Sequence, residues 1–341
     1  MVNLAVVGTG AWGVTLALQA VRAGGGALLL ARTEAEASAL RAEGASPRLP
    51  GVGLPPGLAV SADPAALREQ GAVVFAVPSQ TMGANVAAVA GFLAPQAIVV
   101  SASKGLEIGS ARRMSEVIAA SLGAPPAGAG GGGRRIAALS GPNLAQEVAT
   151  GKAASTVVAC ADEAAARAVQ AALMTARFRV YTSQDVVGVE LGGALKNIIA
   201  LGAGMADGLE SGDNGKAALM TRGLAEIARL GKAAGAEPLT FSGLAGLGDL
   251  LATCMSPLSR NRTLGERLAR GVSLDAARAG SHQVAEGVTT TVAALQLARR
   301  YDVEMPITAL MHRVLFEGLS PQEAGQALMQ RDPKRELEGF A

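Results

Sequence analysis

The segment NLAVVGTGAWGVTLAL, residues 3–18, decides the fold class of this 341-residue chain. An apolar, strand-like run ends at Val7, the pattern G-x-G-x-x-G follows at Gly8, Gly10 and Gly13, and a helix-like run begins there. The first glycine permits a tight turn, the second lets a pyrophosphate approach the backbone, and the third lets helix and strand pack closely. In this context the pattern predicts a dinucleotide-binding turn at a helix N-terminus, although a turn that only joins strand to helix is the alternative.

The same alternation of strand-like and helix-like runs continues to about residue 183. Seven strands are predicted, at residues 3–7, 27–31, 72–77, 97–101, 136–139, 156–159 and 178–181. Helices are predicted between most of them, at residues 12–23, 34–43, 81–90, 112–121 and 163–174. Repeated strand, helix and strand indicates an α/β domain of Rossmann type, with a mostly parallel sheet covered on both faces.

The remainder of the chain has a different pattern. After Ser183 the β-branched runs stop, and Ala, Leu, Gly and Met recur with helical spacing in five predicted helices, at residues 186–206, 216–234, 262–270, 289–300 and 307–316. We therefore predict an all-α second domain. The expected division is a dinucleotide-binding domain over residues 1–183 and a helical substrate and catalytic domain over residues 184–341.

Composition excludes several classes of protein. Half of the residues are hydrophobic, 17% are charged, and the formal net charge is only +2 with no basic tract, so neither a nucleic acid nor an anionic membrane surface is an expected partner. The two cysteines, Cys160 and Cys254, are too few for a disulfide framework, which favours a reducing cytoplasm. The uncharged stretches 1–21 and 71–103 are broken by glycine, proline or amide residues, so we predict no integral membrane segment.

A glycine-rich stretch, GAPPAGAGGGG at residues 123–133, interrupts the first domain. It lacks the Lys-Ser/Thr pair that follows the glycines of a phosphate-binding P-loop. It also offers few side chains that could pack. We interpret it as a surface loop with no part in the chemistry.

The end of the second predicted strand bears on which dinucleotide is bound. Sites specific for NAD place an acid about 20 residues after the first glycine, where it holds the ribose 2′-hydroxyl. Here the strand ends at Ala31 and Arg32, with no acid before Glu34. A guanidinium can pair with a 2′-phosphate and stack on adenine, so Arg32 favours NADP(H), with a solvated arginine at a strand end as the alternative.

Lys196 stands alone in an apolar helical stretch, ELGGALKNIIA at residues 190–200. Its neighbours three and four positions away are glycine, isoleucine and alanine, so no acid on the same helix pairs with it. The ordinary interpretation is a lysine that snorkels to solvent. The functional interpretation is an ammonium group that exchanges a proton with an alcohol or carbonyl oxygen while hydride moves at the carbon.

Two other polar groups in the second half suggest a binding site. Ser259, Arg260, Asn261 and Arg262 precede or open a predicted helix, which is typical both of an anion site and of an ordinary helix cap. Asp249 lies among apolar residues in GLGDL, and it too is expected either to cap a helix or to bind substrate.

Taken together, these motifs resemble the bacterial-type NAD(P)-dependent glycerol-3-phosphate dehydrogenase family over nearly the whole chain. The resemblance rests on these segments: GTGAWG (8–13), RLPGVGLP (48–55), FAVPSQ (75–80), SKGLE (103–107), SGPNLAQEV (140–148), ELGGALKN (190–197), DNGKAALMTRGLAE (213–226), LAGLGDL (244–250), SRNR (259–262) and AEGVTT (285–290). It implies reversible reduction of dihydroxyacetone phosphate to sn-glycerol 3-phosphate, a glycerophospholipid precursor. It also implies a second domain like the C-terminal domain of 6-phosphogluconate dehydrogenase.

The resemblance also implies roles for individual residues. Lys196 is the expected proton acceptor and donor, with Arg260 and Asn261 on the substrate phosphate. The full substrate set is Lys104, Gly141, Asn143, Lys196, Asp249, Ser259, Arg260 and Asn261. The cofactor set is Gly8, Gly10, Ala11, Trp12, Gly13, Arg32, Lys104, Ala145, Arg260, Val284 and Glu286. Asn143 stands where other family members often have Ser or Thr, so its hydrogen bond to substrate is expected but the geometry of that bond is left open.

The expected cofactor is NADP(H), with NAD(H) also usable and no metal. The resemblance further suggests a homodimer in the cytoplasm. One alternative is a β-hydroxyacid or 6-phosphogluconate-type dehydrogenase, against which the SRNR and ELGGALKN segments argue. Another is an NADPH-binding regulator without catalysis, against which the joint presence of Lys104, Lys196, Asp249 and Arg260 argues.

Overall fold

The computed structural model of the protein describes residues 2–123, 134–279, 285–333 and 335–336. The contacts within the chain divide it into two compact units. The first unit comprises Met1–Lys104 and Arg113–Val189, and the second comprises Gly105–Arg112 and Glu190–Ala341. This division differs from the predicted boundary at residues 183 and 184. The division between Val189 and Glu190 falls within a helix. The segment Gly105–Arg112, about 80 residues earlier in the chain, also belongs to the second unit.

One mixed sheet organises the first unit. Its eight strands, in the order β3-β2-β1-β4-β5-β6-β7-β8, are β1 (Leu4–Val7), β2 (Ala27–Leu30), β3 (Leu58–Ser61), β4 (Ala72–Phe75), β5 (Ile98–Ser101), β6 (Ile136–Ser140), β7 (Ala154–Cys160) and β8 (Phe178–Ser183). Strands β1 to β6 pair in parallel, β7 is antiparallel to β6, and β8 is parallel to β7. The prediction of a mostly parallel, Rossmann-type sheet is confirmed.

Both faces of the sheet are buried, as the apolar strands require. Successive residues of β1 belong to two separate core clusters, with Leu4 and Val6 in one and Ala5 and Val7 in the other. Because side chains alternate across a strand, the two clusters lie on opposite faces. The helices of this unit are α1 (Ala11–Arg22), α2 (Glu34–Glu43), α3 (Met82–Val89), α4 (Met114–Ser121), α5 (Ala145–Ala149) and α6 (Glu163–Leu173).

The sequence interpretation missed β3 and the short helix α5. β3 is a four-residue edge strand that pairs in parallel with β2, and only Leu58 of its residues is buried. The apolar run of β3, Leu58 to Val60, is only three residues long and directly follows Pro55, Pro56 and Gly57, which are typical of a loop. Helix α5 spans five residues, which is too short for helical periodicity to appear in the sequence.

The second unit is helical in the part of the chain that is described, as predicted, but the five predicted helices omit Asp249–Met255, Leu274–Ala279 and Pro321–Met329. Its helices are α7 (Val186–Gly208, which begins in the first unit), α8 (Gly212–Ala233), α9 (Asp249–Met255), α10 (Arg260–Ala269), α11 (Leu274–Ala279), α12 (Glu286–Arg300), α13 (Pro306–Phe316) and α14 (Pro321–Met329). α7 is long and apolar enough to cross a membrane, but 89% of its most apolar 18-residue window is buried within the protein. Such burial is typical of a core helix.

Glycines bring α7 into backbone contact with α10. A Cβ at Gly204 would lie 1.9 Å from the carbonyl oxygen of Arg262, and a Cβ at Gly265 would lie 2.0 Å from that of Leu201. No side chain fits at either distance. The two helices therefore approach more closely than side chains would allow, which holds α10, from Arg262 to Gly265, next to the C-terminal half of α7.

Glu226 on α8 caps the N-terminus of α13. Its carboxylate accepts hydrogen bonds from the backbone N–H groups of Ile307 at 2.8 Å and Thr308 at 2.9 Å, and from the Thr308 hydroxyl at 2.6 Å. The residue is only 1% exposed. A helix N-terminus carries unpaired N–H groups, so a buried carboxylate at this position satisfies donors that water cannot reach.

Glu226→Ala is expected to lower the free energy of unfolding by at least about 2 kcal/mol, because it leaves three buried donors unpaired. Chemical denaturation checks this value. Glu323→Ala provides the matched control, since Glu323 caps α14 at an exposed position and its loss is expected to cost about 1 kcal/mol or less. Equal losses in the two variants would contradict the assigned role of burial.

The stability contributed by Glu226 is also expected to depend on pH. Burial raises the pKa of its carboxyl above the usual 4.5, against the opposing effect of the hydrogen bonds from Thr308 and Ile307. A raised folded-state pKa means that the folded protein binds more protons than the unfolded chain as pH rises from 4.5 toward that pKa, so stability falls across this window. Glu226→Gln removes the ionisation. The unfolding free energy of the wild type minus that of Glu226→Gln should therefore decrease with rising pH, and a constant difference would contradict the assignment.

Candidate active site

The glycine-rich turn after β1 has the geometry that its sequence predicts. Gly8 has a φ of 113°, and a Cβ there would lie 2.6 Å from the carbonyl oxygen of Ala76. A Cβ at Gly13 would lie 2.0 Å from the Gly8 oxygen, whereas a Cβ at Gly10 would meet nothing within 4 Å. β1 lies between β2 and β4, where the strand order reverses. Dinucleotides bind at this position in parallel sheets of this type.

The residues around the turn fit a bound dinucleotide. Gly10 precedes the first residue of α1, Ala11, and faces open space, so a ligand can approach its backbone and the free N–H groups of the helix. Trp12 packs edge-on against Phe178, with ring centroids 6.5 Å apart. Its indole Nε1–H is buried and has no hydrogen-bond partner among the described residues. The described side chains therefore leave this donor without a partner.

Arg32 lies where the sequence predicts it, beyond the end of β2. Its side chain is exposed, and the following residue, Thr33, caps α2 by accepting a hydrogen bond from the N–H of Glu36. The guanidinium is thus available at the carboxyl edge of the sheet, on the β2 side of the glycine turn.

Three more residues assigned by resemblance meet at the ends of β5 and β6. The Lys104 ammonium donates a hydrogen bond to the carbonyl oxygen of Gly141 at 2.9 Å. Asn143 is tied to β7, because its amide donates to the Ser155 oxygen at 3.0 Å and accepts from the Thr156 hydroxyl at 2.9 Å. Its side chain thus forms part of the turn, and each polar end has one hydrogen-bonding position beyond these contacts.

Ala145 is the next cofactor residue that the resemblance assigns. It opens α5, and its carbonyl oxygen accepts a hydrogen bond from the Thr15 hydroxyl on α1 at 3.2 Å. A Cβ at Gly141 would lie 2.8 Å from the Cα of Thr156, so this position admits glycine only. The start of α5 is therefore held close to the helix that follows the glycine turn.

Lys196 is buried on α7 and forms an ion pair with Asp249. Its Nζ lies 2.9 Å from Asp249 Oδ1, and the two side chains are 7% and 2% exposed. Nζ also donates to the hydroxyl of Thr253, which in turn donates to Asp249 Oδ1 at 3.3 Å. Lys196 therefore does not snorkel to solvent, and Asp249 neither caps a helix nor faces water.

Close packing explains how the aspartate reaches the lysine. A Cβ at Gly192 would lie 2.7 Å from the carbonyl oxygen of Ala245, in the turn that leads into α9. Asp249 is the first residue of α9, and Thr253 lies one helical turn later on the same face. The acid thus comes from a different helix, which the neighbours of Lys196 in the sequence did not indicate.

Thr253 and Asn197 contact predicted site residues, and the sequence interpretation missed both. The spacing of four between Asp249 and Thr253 was a usable signal, because residues i and i+4 share a helix face. Asn197, next to Lys196, accepts a hydrogen bond from the amide of Asn261 at 2.9 Å. Its position beside the lysine gave no indication of that partner.

Asn261 links three helices of the second unit. Besides donating to Asn197 on α7, its Oδ1 accepts the backbone N–H of Gly287 at the start of α12 at 2.9 Å. Asn261 itself lies on α10 and is 7% exposed. One amide N–H and one lone pair remain beyond these contacts, so a ligand contact is possible only through them.

The other predicted residues of the second unit lie near this junction. Ser259 caps α10 by accepting the N–H of Arg262 at 3.2 Å, so its capping alternative is realised. Arg260 is exposed, and the carboxylate of Glu286, the first residue of α12, interacts with it electrostatically. Arg262 instead pairs with Asp207 at 2.6 Å, and Val284 lies outside the described residues.

The described residues hold no group of three or more histidine, cysteine, aspartate or glutamate side chains placed to bind a metal. Cys160 and Cys254 are buried and unpaired, and burial raises the pKa of the Cys254 thiol to about 12. Such a thiol is a poor nucleophile at neutral pH.

Comparison with known proteins identifies the family of the chain. The model of the NAD-dependent glycerol-3-phosphate dehydrogenase N-terminus matches residues 3–166, and that of the C-terminus matches residues 185–326. A glycerol-3-phosphate dehydrogenase [NAD(P)+] of Parafrankia sp. (strain EAN1pec) is 51% identical over 98% of both chains. One of Streptomyces avermitilis is 50% identical over the same shares.

A solved structure agrees as well. The crystal structure of glycerol-3-phosphate dehydrogenase from Coxiella burnetii superposes with a TM-score of 0.90 at 36% identity, covering 97% of this chain and 99% of that one. The family matches thus cover both halves of the chain, and the relatives align nearly end to end. The chain belongs to the NAD-dependent glycerol-3-phosphate dehydrogenase family and is an NAD(P)-dependent oxidoreductase that acts on glycerol 3-phosphate.

Proposed function

We propose that Lys196 is the proton donor and acceptor in the reversible reduction of dihydroxyacetone phosphate to sn-glycerol 3-phosphate. The observation that carries this assignment is the buried contact of its ammonium with Asp249 and Thr253. A buried lysine held by an aspartate and a threonine has a fixed position, which proton transfer to a substrate oxygen requires. The nicotinamide of the bound cofactor supplies the hydride.

The arrangement supports proton donation to the substrate oxygen during reduction, and the neutral amine that donation leaves can accept the proton in the reverse reaction. An ammonium group has three N–H bonds, and the two described contacts use two of them. The third is available to the carbonyl oxygen of the substrate, which gains negative charge during reduction. The Asp249 carboxylate stabilises the positive charge of the buried Lys196, because a buried ammonium without a counter-ion would be strongly disfavoured. Thr253 fixes the direction of the Nζ group.

Cationic and polar groups are proposed to bind the phosphate and the polar groups of the substrate. Arg260 and Asn261 contact the phosphate, and Ser259 holds the first turn of α10 in place through its cap. In the first unit, Lys104 adds positive charge beside Gly141 and Asn143. Arginine binds phosphate with two parallel hydrogen bonds, and this is the contact proposed for Arg260.

The proposed cofactor is NADP(H) in preference to NAD(H), with no metal. Support comes from Arg32, whose exposed guanidinium follows β2 at the edge where the adenosine ribose binds in this fold. The remaining cofactor contacts are proposed for Gly8, Gly10, Ala11, Trp12, Gly13, Lys104, Ala145, Arg260, Val284 and Glu286.

We also propose that the product supplies glycerophospholipid synthesis in the cytoplasm, and that the enzyme is a homodimer. The two unpaired cysteines are compatible with a reducing compartment. The direction of the reaction and its place in glycerophospholipid synthesis in the cytoplasm are proposed from the resemblance in sequence. A sedimentation measurement tests the dimer.

Lys196→Ala is expected to lower kcat for dihydroxyacetone phosphate reduction by about 10²- to 10⁴-fold, which is the usual contribution of a positioned proton donor. The loss of NADPH absorbance during the reaction measures this. Lys216→Ala is the matched control, because Lys216 is also a partly buried lysine of the second unit, paired with Asp207. It should retain activity within a few-fold. Wild-type turnover of 3-hydroxy acids instead of dihydroxyacetone phosphate would contradict the substrate assignment.

Arg32→Ala is expected to lower the ratio of kcat/KM for NADPH to kcat/KM for NADH by about tenfold or more, because it removes a charged partner of the 2′-phosphate. Steady-state rates with each cofactor measure the ratio. Arg41→Ala removes the same charge from the neighbouring helix, where Arg41 pairs with Glu34, and should leave the ratio nearly unchanged. A ratio unaffected by Arg32→Ala would show that Arg32 is only a solvated strand-end residue.

A further inference from the structure

The loops that follow β1 and β2 leave the sheet side by side. The two strands pair in parallel with Val7 opposite Leu30, and the Gly8 N–H donates to the Leu30 oxygen at 3.2 Å. Thr9 therefore lies in the glycine turn on one side, and Arg32 lies on the other. In dinucleotide-binding sheets the adenosine ribose is recognised at this place.

The side chain of Glu36 joins these two loops. One oxygen of its carboxylate accepts the hydroxyl of Thr9 at 2.5 Å, and the other accepts the backbone N–H of Arg32 at 3.3 Å. Glu36 lies in the first turn of α2, yet its side chain reaches back to the carboxyl ends of β1 and β2. The sequence shows no acid at the end of β2, but the structure places a carboxylate there from the helix that follows.

The neighbouring acid, Glu34, has a different environment. Its carboxylate accepts a hydrogen bond from Ser38 at 3.0 Å and pairs with Arg41, both on α2. Arg41 in turn donates to the Val60 oxygen on β3, on the side of β2 away from the glycine turn. Of the two acids in the first turn of α2, only Glu36 contacts the glycine turn.

We propose that Glu36 is a specificity residue that opposes Arg32 at the adenosine ribose and so limits the preference for NADP(H). A carboxylate accepts a ribose 2′-hydroxyl and repels a 2′-phosphate, whereas a guanidinium attracts the phosphate. The Thr9 hydroxyl and the Arg32 N–H each occupy one position on the half-exposed Glu36 carboxylate, and each oxygen keeps a second acceptor position. The inference rests on the proposed function in one respect, which is that the ribose binds at the β1 and β2 edge.

The test is the ratio of kcat/KM for NADPH to kcat/KM for NADH in three variants. Glu36→Gln keeps an acceptor for the Thr9 hydroxyl and removes the charge, so the ratio should rise about tenfold. Glu36→Ala should raise it in the same direction. Glu34→Gln, the matched control, removes one charge from the same helical turn and should change the ratio less than about twofold. No rise in the two Glu36 variants, or an equal rise in Glu34→Gln, overturns the proposal.

Binding without turnover separates this proposal from the proposed reaction. Dissociation constants for 2′,5′-ADP and for 5′-AMP, measured by calorimetry, report on the ribose site alone. Tighter binding of 2′,5′-ADP to Glu36→Gln, with 5′-AMP little changed, supports the role of Glu36 even if the enzyme fails to reduce dihydroxyacetone phosphate. Unchanged 2′,5′-ADP binding in Glu36→Gln and Glu36→Ala, or a wild type that binds neither nucleotide, overturns it.

Discussion

The buried ion pair between Lys196 and Asp249 is the constraint on which the second unit depends. Removing two charges from water is costly, and the cost is offset only if the partners meet at hydrogen-bonding distance. Their 2.9 Å separation requires α7 to pack directly on the turn before α9. The close approach at Gly192 makes that packing possible. Small residues along α7 thus serve the placement of a charged group and not only the density of the core.

The same reasoning connects the neighbouring helices. Gly204 and Gly265 bring α10 against α7, and Asn261 then bonds to Asn197 beside the lysine. The start of α12 is tied to the same amide through the Gly287 N–H. Because the amide is buried and bonded at both ends, a shift of any one helix would break a hydrogen bond that water cannot replace. The junction is therefore rigid around Lys196.

Local patterns predicted what depends on local chemistry. The glycine turn after β1 could be predicted from the sequence because its three glycines lie within six residues and each is required for a different steric reason. Helix α7 and the isolated Lys196 were likewise visible. The partner of that lysine was not, since Asp249 lies 53 residues away. The antiparallel direction of β7 could not be predicted either, because an apolar run of residues does not indicate in which direction the strand pairs. Glu36 was overlooked because a helical side chain, and not a strand residue, supplies the carboxylate.

The segment Gly105–Arg112 follows β5 of the first unit but is counted with the second. Within the second unit, the Gly109 N–H donates to Gln296 on α12 at 3.2 Å, and Arg300 donates to the Ser110 oxygen at 2.8 Å. The chain therefore passes between the units at three peptide links. During synthesis on the ribosome, these eight residues emerge long before α12 exists to receive them. A gene segment that encodes only Glu190–Ala341 therefore lacks eight residues of the second unit. No single cut in the coding sequence separates the two units intact.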